Sequence, residues 1–78
     1  METVDKELIL KFMLHDSTLE RLYREHNVLE SMLDQFTSRA FLTSEEQLEV
    51  QRLKKRKLVG VDKMMSILSR YRETAAMI

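Results

Sequence analysis

The chain has 78 residues, which allows one small domain whose hydrophobic core supplies only about 3–5 kcal/mol without staples or partners. It contains no cysteine, which excludes a disulfide framework and a thiolate zinc site and predicts a reducing, cytoplasmic location. Thirteen basic and thirteen acidic residues give zero net charge, so the overall charge gives no reason to expect binding to nucleic acid or to an anionic membrane. The acidic first residues, and an apolar run over residues 8–14 that Lys11 interrupts, predict neither an export signal nor a membrane span.

An uninterrupted heptad spacing runs through the first half of the chain, in alternating steps of four and three residues. Its positions are Leu8, Phe12, His15, Leu19, Leu22, His26, Leu29, Leu33 and Phe36. With 33% charged residues, one glycine and no proline, this spacing is typical of a long amphipathic helix. Ser17 and Glu20 have the spacing of a capping box, which would start a second helix there. Because the seam keeps its phase across that point, we predict one helix from about residue 5 to about residue 38.

A short connection, about residues 39–43, separates this helix from a second one. Thr43 and Glu46 form a capping-box pattern that predicts a new helix over about residues 44–73. So short a connection requires the two helices to run antiparallel. We expect Phe41 and Leu42 to close the end where the helices are joined.

The apolar stripe of the second helix is wider than one seam. Val50, Leu53, Lys57, Gly60, Met64, Ile67 and Tyr71 form the seam, and Leu58, Val61, Met65 and Leu68 flank it. A helix with two adjacent apolar edges packs on its own partner with one edge and on a second molecule with the other. We therefore predict an all-α fold: a single domain over residues 1–78, built as an antiparallel, coiled-coil-like two-helix hairpin. It is expected to dimerise into a four-helix bundle through the four flanking residues.

A polar layer is expected in the middle of this hairpin, where His26 and Lys57 both occupy seam positions. The lysine ammonium would reach outward to Glu25 or Glu30, so replacing His26 alone is expected to strand Lys57 and lower stability. His26 lies about 16 Å along the helix from His15, so the two histidines cannot share a metal ion. We expect no metal and no cofactor.

Five basic residues lie close together on the second helix: Arg52, Lys54, Lys55, Arg56 and Lys57. Such a cluster is a candidate phosphate-binding patch. At about 100° per residue, however, these side chains point in nearly all directions, and no aromatic residue lies between them for base stacking. We interpret the cluster as a solvated face that is partly neutralised by Glu25 and Glu30.

Catalysis is not expected. No serine lies in a Gly-x-Ser-x-Gly elbow, and the single glycine, Gly60, cannot form a glycine-rich phosphate loop. A helical hairpin also lacks the water-excluding pocket that enzymes need.

Two motifs carry a family resemblance: Glu25-His26-x-x-Leu29 in the first helix, and Leu53-Lys54-Lys55-x-Lys57-Leu58 followed by Asp62 and Met64 in the second. Over about residues 19–68 the chain resembles the YdcH-like family of short bacterial proteins. The resemblance implies a cytoplasmic helical hairpin with no established biochemical activity. The chain departs from the family pattern at Gly60 and Val61, where the family usually has leucine and lysine.

The sequence therefore favours a non-enzymatic interaction protein, a homodimer that presents helix faces to another protein. The alternative is a small nucleic-acid-associated regulator that uses the basic cluster from Arg52 to Lys57. The partner and the biological process cannot be identified from the sequence.

Overall fold

The computed structural model describes the backbone of residues 3–76 and the side chains of residues 6–73. Over this range the chain forms three α-helices and no strand: α1 (Thr3–Phe12), α2 (Ser17–Thr37) and α3 (Ser44–Ala76). The predicted all-α class is confirmed, but the predicted number of helices is wrong. None of the helices in the described part of the chain is both long and apolar enough to cross a membrane.

The predicted first helix is broken at residues 13–16. Asp16 has an extended backbone (φ −137°, ψ 102°) and caps α2, its carboxylate accepting a hydrogen bond from the Leu19 N–H at 3.0 Å. Before it, the His15 N–H donates to the Phe12 carbonyl at 3.0 Å, which tightens the end of α1. Asp16, one residue before the anticipated Ser17 cap, provides a side-chain acceptor that competes with helix continuation.

The connection between α2 and α3 covers residues 38–43, and the predicted capping box is formed. The Glu46 N–H donates to Thr43 Oγ1 at 3.1 Å, while the Thr43 N–H donates to Glu46 Oε1 at 3.1 Å. Arg39 forms an ion pair with Glu46 across the connection. Phe41 is 90% exposed, so the expectation that it closes this end is wrong.

Three contacts show that α2 and α3 lie antiparallel. Arg39 near the end of α2 meets the start of α3 at Glu46, Glu25 in α2 meets Arg56, and Asp16 before α2 meets Tyr71 late in α3. Between these contacts lie two apolar clusters. One contains Leu29, Leu33 and Leu53, and the other contains Ile9, Leu19, Leu22, Met64 and Leu68.

The second cluster is completed by α1. Ile9 is fully buried in it, and the Phe12 ring stacks on the Tyr71 ring with centroids 4.5 Å apart and planes 8° apart. Removal of such apolar side chains from water is the main favourable term for this packing. Helix α1 is therefore an integral third helix of the fold.

Candidate interaction surface

Glu30 joins the two long helices at the level of the predicted polar layer. Its Oε1 atom lies 3.1 Å from His26 Nε2 and 3.2 Å from Lys57 Nζ. His26 and Lys57 thus meet through a shared carboxylate, and Lys57 reaches Glu30. The other predicted partner of Lys57, Glu25, pairs with Arg56, with 3.2 Å between Glu25 Oε1 and Arg56 Nη2.

The local charges hold Glu30 in its ionised form. Burial raises the pKa of its carboxyl, but the hydrogen bond from Lys57 and the charges of His26 and Lys57 outweigh burial and bring the pKa below the ordinary value of 4.5. An ionised Glu30 can accept hydrogen bonds from both neighbours at neutral pH. This ion pair links α2 to α3 at the level of the polar layer.

His26 is the buried member of this layer, with 6% of its surface exposed. Its Nδ1 atom has no hydrogen-bond partner among the described residues. Beside it lies a cleft of about 160 Å³ lined also by Lys6, Tyr23 and Asn27. A buried polar atom without a hydrogen-bond partner reduces stability. The layer therefore has a cost in stability, and buried polar layers of this kind favour a defined register between helices.

The five residues of the basic cluster are distributed around α3. Arg52 lies 3.7 Å from Glu49, and Arg56 and Lys57 form the two ion pairs with α2 given above. Lys54 and Lys55 are exposed, and no ion pair involving either is formed within the described part of the chain. The cluster therefore leaves two cations available, one residue apart and about 100° apart around the helix.

Each of these two lysines borders a different groove along α3. The Leu58 groove, of about 420 Å³, is lined by Leu33, Lys54, Lys57, Leu58 and Val61. The Gly60 groove, of about 330 Å³, is lined by Leu22, Glu25, Lys55, Arg56, Val59, Gly60 and Lys63. Both combine apolar side chains with cationic rims, which is the chemistry that an amphipathic acidic helix requires.

The four residues predicted to mediate self-association differ in accessibility. Leu58 is 62% exposed, whereas Leu68 is fully buried. Val61 and Met65 are half-buried against the cluster that contains Ile9 of α1. Met65 and Leu68 thus pack in the cluster to which α1 contributes Ile9, whereas Leu58 and Val61 line the open Leu58 groove.

Two features of the surface were missed by reasoning from the sequence. Lys63 borders the Gly60 groove, and its spacing of four residues from Val59 and eight from Lys55 is a detectable signal for a shared face. The break before α2 also had a signal, because Asp16 is a preferred N-cap residue directly before an apolar-periodic helix.

A second polar site lies where α1, α2 and α3 meet. A cleft of about 350 Å³ is lined by Asp16, Thr18, Ile67, Arg70 and Tyr71. The Leu19 N–H and Tyr71 hydroxyl hydrogen bonds lower the pKa of Asp16 below 3.8. Within the residues that the structure describes, no three His, Asp or Glu side chains are grouped so that they could hold a metal ion.

The chain belongs to the family described as "Protein of unknown function (DUF465)", whose family model matches residues 19–68. The resemblance to the YdcH-like family is consistent with this match and is confirmed at that level. No curated protein and no solved structure gives a significant match. The matched range contains α2 and most of α3 and does not include α1.

Proposed function

We propose that this member of the DUF465 family is a non-enzymatic cytoplasmic protein that self-associates and binds an acidic, amphipathic helix of a protein partner. The observation that carries the proposal is the Leu58 groove, where an exposed Leu58 lies beside Lys54 and Lys57. Three of its five lining residues, Lys54, Lys57 and Leu58, belong to the motif that carries the family resemblance. The cytoplasmic location is supported by the absence of cysteine.

The chemistry of the Leu58 groove matches one face of such a helix. Leucine-type side chains at positions i, i+3, i+4 and i+7 would cover Leu58 and Val61. Glutamates beside them would meet Lys54, which forms no ion pair within the described residues. Lys57 already has Glu30 at 3.2 Å, so Lys54 contributes most of the unneutralised positive charge at the rim.

A binding role is favoured over catalysis because the ionisable side chains beside the grooves are engaged in ion pairs. Glu25, Glu30, Arg56 and Lys57 form ion pairs that link α2 to α3. The grooves beside them are open apolar surfaces, whereas catalytic groups work in pockets from which water is excluded.

The proposal is tested with a synthetic helical peptide that has leucines on one face and glutamates beside them, titrated into the full chain by calorimetry. Leu58→Glu and Lys54→Glu are expected to weaken binding at least tenfold, because the first places a charge in the groove and the second repels the peptide. Val59→Glu is the matched control, since Val59 is similarly exposed but borders the Gly60 groove. Equal loss of binding in Val59→Glu, or no binding by wild type, would contradict the proposal.

Nucleic-acid binding remains the alternative, and the observation in its favour is that Lys54 and Lys55 have no ion pair within the described residues. Arg52, Arg56 and Lys57 are each engaged with a glutamate, which reduces the charge available to phosphates. A single-stranded oligonucleotide titrated beside the peptide distinguishes the two functions. Phosphate binding is expected to fall by orders of magnitude between about 50 and 200 mM salt, and it would be weakened by Lys55→Glu as strongly as by Lys54→Glu.

A further inference from the structure

Part of the face that the sequence assigns to a second molecule is already occupied, because Met65 and Leu68 pack in the apolar cluster that contains Ile9 of α1, whereas Leu58 is exposed. We call the occupied part the α1-covered face and define it by Met65 and Leu68 of α3 together with Leu19 and Leu22 of α2. Ile9 of α1 is fully buried on it. A second copy can therefore use this face only if α1 leaves it.

We propose that two copies of this chain exchange α1, so that the α1 helix of each copy packs on the α1-covered face of the other. Residues 13–16 act as the hinge and straighten, which joins α1 and α2 into one helix. This inference rests on the self-association part of the proposed function and names the surface and the segment through which it occurs.

The contacts of α1 are the same in both states. In the exchanged dimer Ile9 enters the same apolar cluster and Phe12 stacks on the same Tyr71 ring, but both partners belong to different copies. Because these contacts cancel, the balance between monomer and exchanged dimer depends on the hinge and on protein concentration.

The hinge sequence is compatible with a straight helix. Residues 13–16 are Met-Leu-His-Asp, without glycine or proline, and the seam through Leu8, Phe12, His15 and Leu19 keeps its phase across them. Straightening would give the first N–H groups of α2 backbone carbonyl acceptors in the preceding turn, in place of the Asp16 carboxylate that now accepts from the Leu19 N–H.

The bent hinge is held by Asp16. Its carboxylate caps α2 through the Leu19 N–H at 3.0 Å and accepts a hydrogen bond from the Tyr71 hydroxyl at 2.8 Å. In a straight helix Asp16 would be an interior residue and could no longer cap α2. The cap therefore opposes exchange.

Straightening also moves α1 out of reach of its own α3. Residues 3–37 would form a rod about 52 Å long at roughly 1.5 Å per residue, and Asp16 already lies at the level of Tyr71, late in α3. Most of α1 would then extend past the end of the α2–α3 pair, with its apolar side accessible to a second copy.

Two substitutions bias the hinge in opposite directions. Ser17→Pro fixes the bent form, because proline is favoured at the first helical position, suits the extended Asp16 before it, and is excluded from a helix interior. Asp16→Ala removes the cap and favours the straight form. Loss of the cap is expected to shift the equilibrium of each hinge about fivefold toward the straight form. Because each dimer straightens two hinges, the dimer dissociation constant should fall by approximately 25-fold.

The experiment measures the dimer dissociation constant of the full chain by sedimentation equilibrium for wild type, Ser17→Pro, Asp16→Ala and the control Ser17→Ala. We expect a dimer for wild type and Ser17→Ala, a tighter dimer for Asp16→Ala, and a monomer of unchanged helicity for Ser17→Pro. A mixture of isotope-labelled and unlabelled wild-type chains then reports whether the Phe12–Tyr71 nuclear Overhauser effects are intermolecular, as exchange requires.

Purely intramolecular Phe12–Tyr71 effects in a dimeric sample would overturn the exchange but leave self-association intact. The same holds for a Ser17→Pro protein that dimerises as tightly as Ser17→Ala. A monomer for every variant at micromolar concentration would overturn both the exchange and the self-association that it deepens. If Ser17→Pro fails to fold, the Asp16→Ala dissociation constant and the mixed-label spectrum decide the question.

Discussion

The Tyr71 hydroxyl donates a hydrogen bond of 2.8 Å to the Asp16 carboxylate across 55 residues of sequence. The same carboxylate caps α2 through Leu19. One side chain thus starts a helix, breaks the predicted long helix and attaches the break to α3. The bond also affects both partners: together with the Leu19 N–H it lowers the pKa of Asp16, and it raises the pKa of Tyr71.

Tyr71→Phe is expected to lower the free energy of unfolding, because the change removes a hydrogen bond to a carboxylate but keeps the ring that stacks on Phe12. Urea unfolding followed by circular dichroism measures the loss. Tyr23→Phe is the control, since Tyr23 is also half-buried but its hydroxyl makes no hydrogen bond within the described residues. Equal losses in both variants would contradict a specific role for the Asp16 bond.

Stability is expected to fall as the pH drops below about 4.5. The folded-state pKa values of Asp16 and Glu30 lie below their ordinary values of 3.8 and 4.5, so the unfolded chain binds more protons in this range. The stability that these two carboxylates contribute is fully present at higher pH, and it is lost as the pH falls through their folded-state pKa values. Urea midpoints measured between about pH 6 and pH 2.5 follow this loss.

A matched pair of variants assigns part of this acid sensitivity to Asp16. Asp16→Asn keeps an oxygen that caps α2 but cannot titrate, and is expected to show a shallower fall in stability at the acid end of the range. Asp34→Asn should keep the wild-type slope, because the Asp34 carboxylate accepts no hydrogen bond within the described residues. Identical slopes for the two variants would contradict the assignment.

Gly60→Ala is expected to raise the free energy of unfolding by about 1 kcal/mol, the cost of glycine relative to alanine inside a helix. A Cβ atom at this position would have nothing within 4 Å, so the added methyl group meets no steric obstacle. Thermal and urea unfolding measure the gain, and Ser66→Ala at an exposed site on α3 is expected to give a smaller one. A loss of stability or of dimerisation in Gly60→Ala would indicate close backbone approach by a second copy.

His26→Leu is expected to raise the free energy of unfolding by about 1 kcal/mol, because leucine removes the buried Nδ1 atom that has no partner. The sequence predicts the opposite sign, through a stranded Lys57, but in the structure Lys57 keeps Glu30 at 3.2 Å when the imidazole is removed. Asn27→Leu controls for the similar gain in helix propensity at an exposed site. A loss of stability in His26→Leu would show that the contact with Glu30 outweighs the unpartnered nitrogen.

Local sequence patterns predicted the all-helical class, the start of α3 and the family. The Thr43–Glu46 capping box depends on residues three positions apart, and heptad spacing depends on one helix at a time. The antiparallel hairpin predicted from the short connection also placed Glu25 and Glu30 beside the basic cluster, where Arg56 and Lys57 meet them. These features follow from short-range geometry, and a sequence displays that geometry directly.

Only the tertiary structure decided that α1 is a separate helix and that it packs against part of the wide stripe of α3. At residues 13–16 the local signals conflict, because the heptad seam favours a straight helix and Asp16 favours a capped break. Tyr71, far away in the sequence, adds a hydrogen bond to Asp16 and a ring surface for Phe12. Both contacts form only when α3 has returned alongside α2, so their effect on the break is absent from any local reading of the chain.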